Sequence, residues 1–149
     1  MNIKKNRHSV FDLSYHLVVV TKYRHKCINE NVMNDLKDIA KNIFENSWDC
    51  EIIEIDWEED HLHILFSAPP QVQLSKLVNN FKTVSSRLIR KKYLDYLSKY
   101  FWKPCFWWAS YGIFSTGWAT LEVVKKYVQN QNSPSWISSS GTNSSSPKS

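Results

Sequence analysis

The chain has 149 residues, with 19 Lys and Arg against 14 Asp and Glu, a formal net charge of +5 and a pI near 9.1. This length suits one domain with a hydrophobic core, and the basic balance favours an anionic partner. The sequence has no apolar run long enough to span a membrane and no apolar stretch typical of a signal peptide. Its three cysteines form no CxxC pair, which argues against a zinc knuckle or a disulfide framework, so we expect a cytoplasmic protein.

The pattern of apolar and turn residues predicts seven elements in the order β-α-β-β-α-β-α. Alternating or β-branched runs predict the strands, and apolar residues at helical spacing predict the helices. The predicted strands are Tyr15–Tyr23, Cys50–Trp57, His61–Ser67 and Phe106–Phe114, and the predicted helices are Asn31–Ser47, one that starts near Leu74 and one that Thr120 caps.

The first six elements match the split βαβ arrangement, so we predict an α+β, ferredoxin-like antiparallel sheet with an additional C-terminal helix carrying Tyr127. The first and third strands should be central, and the last helix could cover the face away from the first two helices. Residues 1–131 form the predicted domain, and the Ser-rich residues 132–149 a disordered tail. The predicted buried faces are Ile53, Ile55 and Trp57 in the second strand, Leu74, Leu77, Val78, Phe81 and Leu88 in the second helix, and Leu121, Val124 and Val128 in the third.

The segment His61-Leu62-His63 lies at the start of the third predicted strand. Alternate strand residues share a face, so both imidazoles should point away from the core. Two neutral imidazoles on one face can supply two ligands of a divalent metal site, although surface histidines are the alternative. Asp60 should face the other side of the strand, which makes Gln131 the better oxygen ligand for Mg²⁺ or Mn²⁺ if the last helix docks on the open face.

Tyr127 lies one helical turn before Gln131, so one helix face presents a phenol and an amide together. A tyrosine hydroxyl is a weak nucleophile at neutral pH, and a nearby metal would make its attack on a phosphate feasible. This arrangement indicates phosphoryl transfer to tyrosine, with a packed aromatic residue as the alternative.

Basic and aromatic residues are candidates for contact with nucleic acid, although a solvated surface and a hydrophobic core explain many of them. An aromatic cluster precedes the last helix, and some of its rings could stack on unpaired bases. The basic candidates are Lys82, Arg87, Arg90, Lys125 and Lys126, and the cluster comprises Phe101, Trp102, Phe106, Trp107, Trp108 and Trp118.

Four segments together resemble the single-tyrosine TnpA transposases of the insertion-sequence 200/605 family, which are HUH (His-hydrophobic-His) endonucleases. The resemblance extends over roughly His8 to Gln131. The segments are Tyr15–Arg24 (YHLVVVTKYR), Asp60–His63 (DHLH), Phe81–Arg87 (FKTVSSR) and Leu121–Gln131 (LEVVKKYVQNQ).

This resemblance implies a ferredoxin-like fold, an obligate homodimer and a substrate of single-stranded DNA with subterminal hairpins. It implies that His61, His63 and Gln131 bind Mg²⁺ or Mn²⁺ and that Tyr127 forms a 5′-phosphotyrosine, freeing a 3′-hydroxyl. The tyrosine helix of one subunit is expected to complete the site of the other. Trp118, in a loop that is often glycine-rich in the family, should restrict the helix movement that accompanies strand exchange.

Two other functions remain open at this point. One is a small metal-independent phosphoesterase that uses the histidine pair as acid and base, with Tyr127 structural. The other is a nucleic-acid-binding module that uses the sheet and its aromatic residues without catalysis.

Overall fold

One four-stranded antiparallel sheet organises the fold, which the computed structural model describes for residues 13–117 and 121–130. The spatial order of the strands is β2-β3-β1-β4, and all neighbouring strands are antiparallel. The predicted α+β, ferredoxin-like arrangement, with two central strands and an additional C-terminal helix, is therefore confirmed. The strands are β1 (Leu13–Val20), β2 (Glu51–Glu58), β3 (His61–Ala68) and β4 (Gly112–Ser115), and the helices are α1 (Glu30–Lys41), α2 (Leu74–Lys92), α3 (Leu94–Leu97) and α4 (Leu121–Asn130).

Some of the sequence predictions concern residues outside these described ranges. They are the helix cap at Thr120, the loop residue Trp118, the metal ligand Gln131 and the tail of residues 132–149.

The hydrophobic core lies between the sheet and helices α1 and α2. Leu62, Ile64 and Phe66 alternate along β3 and are fully buried on this side. The ring of Phe44, just after α1, lies 4.9 Å from that of Phe66 and 5.7 Å from that of Phe81 on α2, measured between ring centroids. Burial of each large apolar side chain contributes about 1.5–3 kcal/mol, so this packing fixes which sheet face is closed and leaves the other available.

The first predicted helix is confirmed almost to its ends. Asn29 caps it, because its side chain accepts a hydrogen bond of 2.8 Å from the backbone N–H of Val32. After Lys41 the chain continues through a π-helical segment, Asn42–Ser47, which accounts for the predicted end at Ser47. Among the described helices, none combines the length and the apolarity that a bilayer-spanning helix needs.

The first and fourth strands are shorter than predicted. β1 ends at Val20, because residues 22–24 form a 3-10 turn in which Tyr23 has a φ of 61°. The predicted strand Phe106–Phe114 is wrong over residues 106–111, because β4 begins only at Gly112. There, the amide of Lys22 donates to the carbonyl of Phe106 and the amide of Trp108 donates to that of Val20, both at 2.8 Å, before the chain leaves the sheet and returns as β4.

Two predicted core positions are wrong. Ile53 is 54% exposed, because an irregularity shifts the register of β2 at this point and Ile52 packs against the core instead. Leu88 is 38% exposed, because the buried positions in this part of α2 are Ser85 and Ile89, four residues apart, and Leu88 lies outside that row. Both errors come from local geometry that an apolar residue type does not reveal.

Candidate active site

β3 presents His61 and His63 on the sheet face opposite the core. Cross-strand pairing places Val20 beside His61 and Val18 beside His63 on that face. The histidine side chains are 17% and 13% exposed, while Leu62 between them is buried in the core. The prediction that both imidazoles share the open face is confirmed, and their role as metal ligands stays a prediction.

Asp60 lies beside His61, so the expectation that it faces the other side is wrong. It belongs to the turn before β3, where strand alternation does not control the side-chain direction. Its Oδ1 lies 2.9 Å from His61 Nδ1, and its Oδ2 accepts hydrogen bonds from Arg24 Nε (2.8 Å) and Nη2 (2.6 Å). Burial alone would raise the pKa of Asp60, but the hydrogen bonds from His61 and Arg24 hold that pKa below its usual value. The carboxylate favours the His61 tautomer with its proton on Nδ1, which leaves the Nε2 lone pair available.

Arg24 connects this carboxylate to the helix that carries the tyrosine. Tyr23 and Arg24 have φ values of 61° and 54°, in the left-handed region that costs non-glycine residues about 1–3 kcal/mol each. From this strained turn, Arg24 Nη1 also donates a hydrogen bond of 2.5 Å to the carbonyl of Val128 on α4. One guanidinium therefore holds both the acidic partner of His61 and the backbone of α4.

His16 is a third imidazole in the site, and the sequence reasoning missed it as a functional residue. Its Nδ1 lies 2.8 Å from His63 Nε2, and the two rings stack with centroids 5.0 Å apart. Burial lowers the pKa of His63, the neighbouring His16 and His61 lower it further, and Asp56 opposes them. His63 therefore favours the neutral form that metal ligation requires. The available signal was alternation along β1, which puts His16 on the same face as Val18.

Asp56 extends the site onto β2, where it pairs with His63 in the sheet register. Its Oδ2 lies 4.0 Å from His63 Nδ1, and its side chain is 64% exposed. When His63 donates its Nε2–H to His16, the Nδ1 lone pair faces this carboxylate. By chemical type alone, two neutral imidazoles and a carboxylate are donors that suit Mn²⁺ or Mg²⁺. Within residues 13–117 and 121–130, no three His, Cys, Asp or Glu residues are grouped closely enough to hold an ion, and the predicted ligand Gln131 lies outside these ranges.

Tyr127 approaches the open face because α4 docks there against its own sheet. Val124 is 3% exposed and packs in a small cluster with Val18 and Val20 of β1. The Tyr127 ring lies against β4, with its centroid 5.6 Å from that of Phe114 in an edge-on contact. Burial raises the pKa of Tyr127, and a hydrogen bond with Ser110 partly offsets that effect. The expectation that the last helix approaches the open face is confirmed.

The strand register gives the spacing between the tyrosine and the histidines. Val18 on β1 pairs with His63 on one side and with Gly112 on the other, and the Tyr127 ring lies directly over Gly112. Neighbouring strands are about 4.8 Å apart, so the tyrosine ring and His63 are separated by two strand spacings, roughly 10 Å. A phosphodiester backbone between them could contact both.

The basic residues predicted to contact DNA fall into separate groups. Lys82 on α2 donates a hydrogen bond of 2.7 Å to a backbone carbonyl just before β4, and burial lowers its pKa. Arg87 and Arg90 lie in the C-terminal half of α2. Lys125 and Lys126 are exposed on α4 next to Tyr127. Lys82 therefore joins α2 to the segment before β4, and a DNA contact for any of the five stays a prediction.

Comparison with known proteins gives a consistent relationship. A family model described as "Transposase IS200 like" matches residues 9–131. The chain is 33% identical over 131 residues to the ISDra2 transposase TnpA of Deinococcus radiodurans, covering 88% of this chain and 92% of that protein. It is 26% identical to the transposase for insertion sequence element IS200 of Salmonella typhimurium, covering 86% and 82%. A crystal structure of a protein from Deinococcus radiodurans R1 superposes with a TM-score of 0.74 at 27% identity, covering 84% of this chain and 95% of that one. The chain therefore belongs to the IS200-like transposase family.

Proposed function

We propose that this chain cuts and rejoins single-stranded DNA through a covalent 5′-phosphotyrosine on Tyr127, with Mg²⁺ or Mn²⁺ bound by His61, His63 and Gln131. The observation that carries this proposal is the position of Arg24. Its guanidinium hydrogen-bonds both the carboxylate beside His61 and the backbone of the helix that bears the tyrosine. The helix that carries Tyr127 and the histidine pair are thereby held on one face of the sheet.

Tyr127 acts as the nucleophile in the proposed first step. Its phenolic oxygen forms a bond to the scissile phosphorus, the bond from phosphorus to the 3′-oxygen breaks, and the leaving oxygen takes up a proton. Because burial raises the pKa of Tyr127, its hydroxyl is protonated at neutral pH and must lose that proton during attack. A DNA 3′-hydroxyl reverses the chemistry in the second step, so bond energy is conserved in the phosphotyrosine.

The histidines supply the proposed metal site. A bound divalent cation would stabilise the negative charge that develops on the scissile phosphate. Asp60 binds His61 Nδ1 and so leaves its Nε2 lone pair available, and stacking against His16 orients His63. The low pKa of His63 keeps it neutral at physiological pH, so a cation does not have to displace a proton from it. His16 is therefore a positioning residue in this proposal.

The proposed substrate is a single strand with a subterminal hairpin, and the proposed assembly is a homodimer. The family resemblance and the net charge of +5 support a DNA substrate. In the dimer, α4 of one subunit would dock on the sheet of the other, in the position that α4 takes here on its own sheet. Tyr127 of one chain would then act with His61 and His63 of its partner.

A covalent adduct tests the proposed chemistry. The chain is incubated with a labelled single-stranded hairpin and Mg²⁺ or Mn²⁺, and the products are separated under denaturing conditions. We expect a protein–DNA band that disappears with a chelator and in Tyr127→Phe. A metal-independent phosphoesterase or a binding module forms no such band, so DNA binding or hydrolysis without an adduct would contradict the proposal.

Mixing two inactive variants tests the shared site. Tyr127→Phe keeps the histidines and His63→Ala keeps the tyrosine, so a heterodimer contains both functions on different chains. Under subunit exchange we expect cleavage to return, with the DNA attached to the His63→Ala chain. No recovery in a proven heterodimer would place the whole site within one chain, while Tyr127 would remain the nucleophile.

A further inference from the structure

Two neighbouring cavities share lining residues from the segment 101–105. The larger, of about 610 Å³, lies between the C-terminal half of α2 and the segment 94–105. The smaller, of about 120 Å³, is lined by Lys22, Tyr23 and His25. Trp102 and Lys103 line both, so they stand where the two cavities meet.

The larger cavity has a strongly basic rim over an apolar floor. One face of α2 carries Arg87 and, three and four residues later, Arg90 and Lys91. Lys103, from the segment 94–105, also lines this cavity. No carboxylate is among the described residues that line this cavity. Its volume is in the range of small-ligand pockets and suits a nucleotide, whose phosphate would meet the rim and whose base would meet the floor.

Trp102 provides a stacking surface at the junction. Its side chain is 85% exposed, and the ammonium of Lys103 lies 4.7 Å from the centre of its ring. Tyr23, across the smaller cavity, is 52% exposed. Exposed aromatic rings that alternate with cations are the arrangement by which proteins bind unpaired nucleic acid without sequence selectivity.

The smaller cavity leads towards the candidate active site. Tyr23 on its wall is followed directly by Arg24, which hydrogen-bonds Asp60, and Asp60 hydrogen-bonds His61. The ammonium of Lys22 lies 5.8 Å from the ring centroid of Trp108, which packs against the open sheet face beneath α4. Cations and rings therefore continue from the cavities to the edge of the histidine site.

We propose that these two cavities form a binding track for an unpaired segment of the DNA substrate, which we call the Trp102 track. A base stacks on Trp102, phosphates bind the cations of the rim, and the strand continues past Lys22 towards His61. This inference rests on the proposed function, because it assumes that single-stranded DNA is the substrate. It assigns a binding site to residues that take no part in the chemistry.

Binding measurements in a Tyr127→Phe background test the track without cleavage. A fluorescent single-stranded hairpin with an unpaired flank is titrated with this protein and with added Trp102→Ala or Lys103→Ala, at several salt concentrations. Lys99→Ala is the matched control, because Lys99 is an exposed neighbouring cation that lines neither cavity. Urea unfolding checks that the fold is unchanged.

We expect Trp102→Ala to weaken binding between about fivefold and a hundredfold, the usual effect of losing one stacked base. Lys103→Ala should reduce the slope of log affinity against log salt by about 0.7, the contribution of one phosphate contact to a single strand. Lys99→Ala should change neither the affinity nor the slope. A blunt duplex of the same sequence should bind weakly to all four proteins.

Two results would overturn the track while leaving the proposed function intact. In the first, both variants bind the flanked hairpin as tightly as the Tyr127→Phe protein. In the second, they alter the dimer equilibrium in sedimentation but not the DNA affinity, which would make this surface an interface between copies of the chain. If the Tyr127→Phe protein itself prefers duplex to single strand, the proposed function fails and the track fails with it.

Discussion

Replacement of Gly112 with alanine tests where the tyrosine lies on the sheet. A Cβ at this position would be 2.8 Å from Cε2 and 2.9 Å from Cζ of Tyr127, and 3.0 Å from Cε2 of Phe114. Ordinary contacts begin near 3.4 Å, so the tyrosine ring must retreat by at least about 0.6 Å. A misplacement of about 1 Å can cost about a hundredfold in rate, so we expect Gly112→Ala to slow adduct formation by roughly ten- to a hundredfold.

The same substitution should have a smaller effect on the stability of the fold. Overpacking costs about 1–3 kcal/mol, and the lower chain entropy of alanine in a strand returns about 0.5–1 kcal/mol. The net loss of about 0–2.5 kcal/mol should leave the protein folded at 25 °C. Urea unfolding of Gly112→Ala measures this term separately from the rate.

Gly117→Ala is the control, because a Cβ there meets nothing within 4 Å. Both variants are assayed for the rate of the first cleavage step, by single-turnover formation of the covalent adduct on a labelled hairpin. Gly117→Ala should form adduct at the parent rate. If Gly112→Ala also does so while folding normally, Tyr127 does not occupy this position on β4 when it reacts.

Further predictions concern the residues around the metal site. His61→Ala or His63→Ala should abolish cleavage and weaken Mn²⁺ binding in calorimetry while the fold survives, and unchanged cleavage in either would remove the metal-site argument. Gln131→Ala should lower metal affinity less, because water can replace one neutral oxygen ligand, and coincident Mn²⁺ titrations would show that it is not a ligand. His16→Ala should lower Mn²⁺ affinity by roughly tenfold through loss of the orientation of His63, with little change in unfolding free energy. The folded protein holds the pKa of Asp60 below the unfolded value of 3.8. The stability that the ionised carboxylate contributes is therefore complete above that unfolded value and is lost as the pH falls through the folded pKa. Asp60→Asn should therefore cost about 2 kcal/mol near neutral pH and less in acid, and an equal loss at both pH values in urea unfolding would contradict this.

The parts of the site that alternation governs could be predicted from sequence. His61 and His63 lie on a regular strand with Leu62 between them, so period-two geometry was enough to place both imidazoles on the open face. The order of elements likewise gave the sheet topology and the approach of the last helix. The role assigned to Tyr127 rested on its helical spacing from Gln131 together with the family resemblance, and it stays a prediction.

The parts that depend on turns and cross-strand register could not be predicted in this way. Asp60 turns towards His61 because it precedes the strand, and Arg24 reaches it only from a left-handed turn. His16 meets His63 across 47 residues of chain, through a pairing that no local pattern encodes. Ile53 was misplaced for a related reason, since the irregularity in β2 changes the alternation locally.

The chemical identity of the residue that becomes attached to DNA tests the proposed nucleophile most directly. The denaturant-stable adduct, formed with Mg²⁺ or Mn²⁺ on a single-stranded hairpin, is digested with nuclease and protease and analysed by tandem mass spectrometry. We predict a 5′-linked nucleotide on the peptide that contains Tyr127, and a free 3′-hydroxyl on the released strand. A nucleotide on any other residue, or cleaved DNA with no modified peptide, would contradict this prediction.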